Sequence, residues 1–193
     1  MNLAVFASTK GTDLQAIIDA LKTGGLENVE LKFVLSNKAD AYALERARLA
    51  GLKTIFLDPK GKTREEYDAA CLALCQEHQT DLILFIGYMR LVTKTLIEPY
   101  RNRILNIHPS LLPQYPGMDL DVHKAVLDAG EFESGCTLHF VDESTDTGPI
   151  FIQRKLAINP GETPESLKER VQKLEQEVIL EGIKKFLVSS FRA

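Results

Sequence analysis

Short apolar runs alternate along this chain with segments whose apolar positions recur every three or four residues. Leu3–Ala7 reads as a strand, and Thr12–Thr23 carries Leu14, Ile17, Ile18 and Leu21 at helical spacing. Val29–Leu35 alternates as a second strand. Asp40 is expected to cap a helix carrying Ala43, Leu44, Ala47 and Ala50, closed by Gly51. Thr54–Leu57 is a third strand, and Thr63 with Glu66 makes a capping box for a helix reaching Gln79. Leu82–Ile86 is an unbroken apolar run, as expected of a buried central strand. A short helix near Lys94–Tyr100 and a strand from Arg103 through Ile104 and Leu105 come next. Beyond Gly117 the pattern predicts a helix over 119–129, then strands at Thr137–Val141 and Pro149–Ile158 joined as a hairpin. Thr163 and Pro164 open a closing helix that runs to about Val188.

This rhythm predicts an α/β fold. A doubly wound, mostly parallel, Rossmann-like sheet is covered on both faces, with an antiparallel C-terminal hairpin at one side. The 193 residues show no repeat, linker or low-complexity stretch, so one domain over 1–193 is expected. Hydrophobic residues at 45% and charged residues at 26% are ordinary proportions for a soluble globular protein. A net charge of −4, with Lys and Arg scattered, gives no reason to expect nucleic acid or an acidic membrane as partner. The longest apolar run is far too short to span a bilayer, and the chain opens directly into a strand. The expectation is a cytoplasmic protein, monomer or homodimer, acting on small molecules. Cys71, Cys75 and Cys136 form no CxxC pair, and the first two lie four apart on a predicted helix, as reduced packing residues would. His78, His108, His123 and His139 have no ligand spacing such as HExxH, so no metal is expected.

Ligands of open α/β sheets collect at the carboxyl ends of the parallel strands. Four stretches there carry possible chemistry. Ser8–Asp13 has a single glycine, so it is neither a dinucleotide fingerprint nor a P-loop. Either free amides around Gly11–Leu14 together with Lys10 hold one phosphate, or Thr12 or Asp13 simply caps the helix. Gly87-Tyr88-Met89-Arg90 is either an ordinary βα turn or a place where a ligand approaches the backbone and Arg90 meets a carboxylate. Asn106 and His108 lie two apart, so extended structure puts both side chains on one face of a strand end. Pro109 favours an extended His108, and Pro113 and Pro116 stiffen the segment up to Gly117. Such a pair is either surface decoration on a Pro-rich loop or a carboxamide and imidazole set for acyl-group chemistry. A tight turn there would also suit a cis Leu112–Pro113 bond. Asp146, ahead of Thr147-Gly148-Pro149, is the carboxylate that could orient His108 and raise its pKa. Glu175 shares a helical stripe with Leu167, Val171 and Ile179, either at the rim of the core or on something polar.

At NIHPSLLPQYPG, Asn106–Gly117, followed by STDTGP, Ser144–Pro149, the sequence resembles the folate-dependent formyltransferases. The resemblance extends through Ser36–Gly51, the Gly87–Arg90 turn and nearly the whole chain. It implies transfer of the formyl group of 10-formyltetrahydrofolate, a co-substrate, to the amine of N1-(5-phosphoribosyl)glycinamide in purine synthesis, without a metal. By the same resemblance Asn106, His108 and Asp146 match the catalytic trio. Lys10, Gly11, Thr12, Asp13 and Leu14 match the ribonucleotide-phosphate loop, and Glu175 matches a glutamate used on the ribonucleotide. Met89, Arg90, Leu91 and Val92, with Asn106 and with Asp142, Glu143, Ser144 and Thr145, match the segments around the pterin, and Arg64 a position near the folate. In that mechanism Asn106 and a protonated His108 stabilise the oxyanion while Asp146 keeps the ring charged. Two departures stand out. Gly11-Thr12-Asp13-Leu14 replaces the usual Gly-Ser-Asn-Leu, which sets a carboxylate beside a phosphate unless it turns away. Met118–His123 replaces a shorter His-containing segment. The alternatives are methionyl-tRNA formyltransferase, whose extra C-terminal domain has no room here; the deformylase, which usually has an added N-terminal domain; a sugar-nucleotide formyltransferase; and a non-catalytic folate-binding domain.

Overall fold

A computed structural model describes residues 1–117 and 120–190. Five strands and four helices alternate first: β1 (Asn2–Ala7), α1 (Thr12–Lys22), β2 (Glu30–Ser36), α2 (Tyr42–Leu49), β3 (Thr54–Phe56), α3 (Arg64–Glu77), β4 (Leu82–Ile86), α4 (Lys94–Ile97) and β5 (Ile104–His108). After them come α5 (Leu120–Asp128), β6 (Glu133–Phe140), β7 (Ile150–Ala157) and the long α6 (Pro164–Ser190). All strands join one seven-stranded sheet in the order β3-β2-β1-β4-β5-β6-β7. The first five are mutually parallel, while β6 runs antiparallel to both β5 and β7. The doubly wound sheet and the terminal hairpin are both present as the apolar pattern predicts.

Period-two alternation splits the core between the two faces of the sheet. From β4, Leu82, Leu84 and Ile86 enter one cluster with α1, α2 and α6, while Ile83 and Phe85 enter the other beneath α3 and α4. Every residue of β4 is at most 4% exposed, and each buried aliphatic side chain contributes about 1.5–3 kcal/mol. The continuous run therefore marks a strand covered on both sides. Cys71 and Cys75 pack in the second cluster and Cys136 in the first, all as free thiols.

Local signals hold where the chain supplies both partners. Thr63 Oγ1 accepts from Glu66 N, and Glu66 returns its carboxylate to Thr63 N, completing the capping box on α3. Asp40 does not cap α2. Ala41 occupies the cap position, so Asp40 is one residue too early to reach the helix amides and lines a cavity instead. The strand expected from Thr137 starts at Glu133, because Glu133–Cys136 pair with Ala157–Arg154 of β7. The expected helix start at 119 and the Met118–Asp119 part of the 118–123 segment lie outside the described residues. The Leu112–Pro113 peptide bond is cis. No helix among the described residues is long and apolar enough to cross a membrane.

Candidate active site

Strand order reverses between β1 and β4, which leave the sheet side by side, β1 leading towards β2 and β4 towards β5. Loops that diverge at such a switch point leave a crevice beyond the carboxyl ends of the strands. Here it is a cavity of about 880 Å³, lined from the β1, β2, β4 and β5 loops, the β6–β7 loop and one side of α6.

The loops are tied to each other before any ligand arrives. Ser8 Oγ donates to Asn37 Oδ1 at 2.5 Å and accepts from Met89 N at 2.9 Å, joining the ends of β1, β2 and β4. Gly87, at φ +55°, lies where a Cβ would be 2.6 Å from Thr9 Oγ1. Thr9 therefore occupies the space that a side chain at position 87 would need. The Arg90 guanidinium lies over the Tyr67 ring, 4.0 Å from the centroid.

At one end of the cavity β5 delivers Asn106 and His108 as its alternation requires. Asp146 arrives from the β6–β7 loop, held in the left-handed region at φ +57°, which Asp tolerates better than most side chains. Its Oδ2 stands 3.4 Å from His108 Nδ1 and its Oδ1 3.5 Å from His139 Nε2. The same His139 nitrogen is 3.1 Å from Asn106 Nδ2, while His139 Nδ1 donates to the Phe140 carbonyl at 2.9 Å. The His139 Nε2 edge therefore stands between the amide and the acid. It gave no sequence signal beyond lying directly across from Asn106 in the β5–β6 register, a pairing that exists only in the folded sheet.

His108 is 3% exposed, and each ring nitrogen faces an oxygen, since Nε2 lies 3.1 Å from the Tyr115 carbonyl. Burial pushes the imidazole below its ordinary pKa. The Tyr115 carbonyl and the Asp146 carboxylate pull the other way but are outweighed, and His139 adds to the lowering. The upward pull expected of Asp146 is present, but desolvation is larger. For Asp146, burial favours the neutral acid, yet the His139 hydrogen bond and the two neighbouring imidazoles hold the carboxyl below the usual range.

At the other end, α1 opens on Gly11, whose φ of +63° and missing Cβ, which would lie 2.7 Å from Ala43 Cβ, let α2 pack against the turn. No side chain caps this helix, so neither Thr12 nor Asp13 acts as its cap. Lys10, Thr12 and Asp13 line the cavity, whereas Leu14 belongs to the core. Burial pushes the Asp13 carboxyl up to about 7. Glu175 is 6% exposed within its apolar stripe and faces the cavity, with Gln172 one turn and Lys168 two turns before it. The spacing of these three on one helix face was visible in the sequence, but only Glu175 looked out of place.

Met89, Arg90, Leu91 and Thr145 also line the cavity. Arg64 is exposed at the start of α3 and Val92 is half-buried beside the second core cluster, both outside the cavity lining. Asp142, Glu143 and Ser144 border a separate hollow of about 280 Å³, where Asp142 accepts from Ser144 N and Thr147 Oγ1. Among the described residues no group of three or more His, Cys, Asp or Glu side chains could hold a metal ion.

An amide, an imidazole and a carboxylate gathered where a parallel sheet reverses its strand order are the parts of a group-transfer site, and the sequence fits the formyl transferase family over residues 1–183. The chain belongs to that family and is a transferase. Within it, the chain is 40% identical over 179 residues to phosphoribosylglycinamide formyltransferase of Escherichia coli (strain K12), 92% of this chain and 83% of that one. It is 42% identical over 175 residues to the trifunctional purine biosynthetic protein adenosine-3 of Drosophila melanogaster, 90% of this chain and 13% of that one. The crystal structure of glycinamide ribonucleotide transformylase 1 from Symbiobacterium toebii matches with a TM-score of 0.91 at 40% identity, over 96% of this chain and 87% of that chain.

Proposed function

We propose that this chain is a phosphoribosylglycinamide formyltransferase of purine biosynthesis. It moves the formyl group of 10-formyltetrahydrofolate to the amine of N1-(5-phosphoribosyl)glycinamide, giving formylglycinamide ribonucleotide and tetrahydrofolate. The observation that carries this reading is the approach of Asp146 to His108, 3.4 Å apart, beside Asn106. A cavity of about 880 Å³ has room for both reactants, one at each end.

Asn106 directs an amide N–H at the formyl oxygen, where charge collects as the amine attacks. His108, held below its ordinary pKa, is neutral at rest and takes the proton that the attacking amine loses. The imidazolium formed sits against Asp146 and returns the proton to the leaving folate nitrogen. The acceptor's phosphate lies at the amino end of α1, on the free amides of Thr12, Asp13 and Leu14, with Lys10 nearby. Glu175 takes the ribose. Met89, Arg90, Leu91 and Thr145 lie around the pterin. Residues 1–193 act as one domain on small molecules in the cytoplasm, without a metal.

The test is tetrahydrofolate release in the presence of 10-formyltetrahydrofolate, with and without the glycinamide ribonucleotide. Acceptor-dependent release accompanied by formylated acceptor is expected. Equal release without acceptor would replace this reading with that of a hydrolase.

A further inference from the structure

The acceptor end of the cavity contains a carboxyl group with an unused oxygen. Asp13 is 7% exposed, lines the cavity, and its Oδ1 has no hydrogen-bond partner among the described residues. A buried polar atom that the fold leaves unsatisfied costs stability unless something else binds it. The helix it opens has eleven residues and no side-chain cap, so its first amides also point at the same space.

The surroundings do not favour a carboxylate at this position. From α6 come Glu175, a second acid, and Lys168. From β6 comes the Cys136 thiol, whose pKa is raised by burial first and then by the nearby Glu175 and Asp13 carboxyls. Lys10 on the same loop is exposed, and His108 stands across the cavity on β5. Arg46 of α2 is already taken up by the Lys10 carbonyl at 2.8 Å and Gln15 at 3.2 Å. Among the described residues no cation donates a hydrogen bond to Asp13 Oδ1.

We propose that Asp13 binds the acceptor as a neutral carboxylic acid, donating its O–H to a phosphate or ribose oxygen, so that acceptor binding takes up a proton. The proposal rests on the acceptor reading above. An ionised Asp13 would set a negative charge beside the phosphate and offer it no donor; the protonated acid removes the charge and supplies one. Burial already pushes the carboxyl up to about 7 without ligand, and a nearby phosphate raises it further. Proton linkage then weakens acceptor affinity by up to about tenfold per pH unit above that value.

The experiment compares the wild type with Asp13→Asn, which has the same shape and a permanent N–H donor. The acceptor KM is measured from pH 6 to pH 8 by formyl transfer. The acceptor's own ionisations cancel in the ratio of the two proteins. The ratio of wild-type to variant KM is expected to rise about tenfold across this range, with the donor KM ratio unchanged. A constant acceptor ratio overturns the proposal, as does loss of the pH slope in Glu175→Gln but not in Asp13→Asn. If Asp13→Asn does not fold, calorimetry of the wild type with ribose 5-phosphate at pH 7.5 decides: uptake of most of one proton supports it, and none overturns it. Absence of formyl transfer from either protein at every pH indicts the underlying activity instead.

Discussion

The two ends of the cavity handle buried polar groups in opposite ways. At the β5 end, Asn106, His108, His139 and Asp146 are gathered together: each carboxylate oxygen lies beside an imidazole, and the His139 nitrogen nearest the acid also lies 3.1 Å from the amide. At the α1 end, the first turn has no side-chain cap and Asp13 Oδ1 has no protein partner among the described residues. The first arrangement is complete without ligand, as preorganised catalytic groups must be, because reorganisation during the reaction would add to the barrier. The second is left for a ligand to complete, as a binding subsite should be. The contrast separates chemistry from affinity within one crevice.

Breaking the self-satisfied end should produce the largest effect. His108→Ala and Asp146→Asn are each expected to lower kcat by about 10²–10⁴ while leaving circular dichroism unchanged; near wild-type turnover in either would remove that residue from the mechanism. At the ligand-completed end, Gly11→Ala forces a side chain into a left-handed turn against Ala43. A loss of roughly 1–3 kcal/mol in unfolding free energy is expected, with acceptor KM raised more than donor KM. Chemical denaturation and steady-state kinetics read both, and equal changes in the two KM values would erase the distinction between the ends.

A smaller effect is expected for His139→Phe, which keeps a buried ring but releases Asn106 and Asp146. Loss of about one buried hydrogen bond corresponds to roughly tenfold in kcat with little change in either KM. A rise in acceptor KM alone would assign His139 to binding. The smallest and most direct measurement is the His108 ring resonance. It is expected to titrate below the ordinary histidine value of about 6.5, because burial dominates. In Asp146→Asn it should move further down, since the carboxylate is one of the influences raising it. The sign matters for the mechanism: a lowered pKa keeps the ring neutral and able to accept a proton at neutral pH. An upward move in the variant would mean that Asp146 does not act on His108 electrostatically.

Much of this architecture was legible where short stretches supplied their own physics. The Leu82–Ile86 run required cover on both faces, and Thr63 with Glu66 closed a helix end without help from elsewhere. Alternation along β5 put Asn106 and His108 on one face, and the intrusion of Glu175 into an apolar stripe flagged a residue that does line the cavity. Misreadings came where a neighbour decided. Asp40 had the chemistry of a cap but stood one residue too early.

By itself the sequence determined the order and type of the elements, the doubly wound sheet with its terminal hairpin, and the residue types available for chemistry. These arise from periodicity and from contacts a few residues long, which the chain carries wherever it is placed. Only the tertiary structure decided that Asp146 meets His108, that His139 stands between Asn106 and the acid, and that Asp13 is buried with an oxygen to spare. Those outcomes depend on separations of tens of residues closed by sheet register and on desolvation, which outweighs a neighbouring charge at His108 and turns Asp13 towards its neutral form. Burial is a property of the whole fold, so no local stretch can state it.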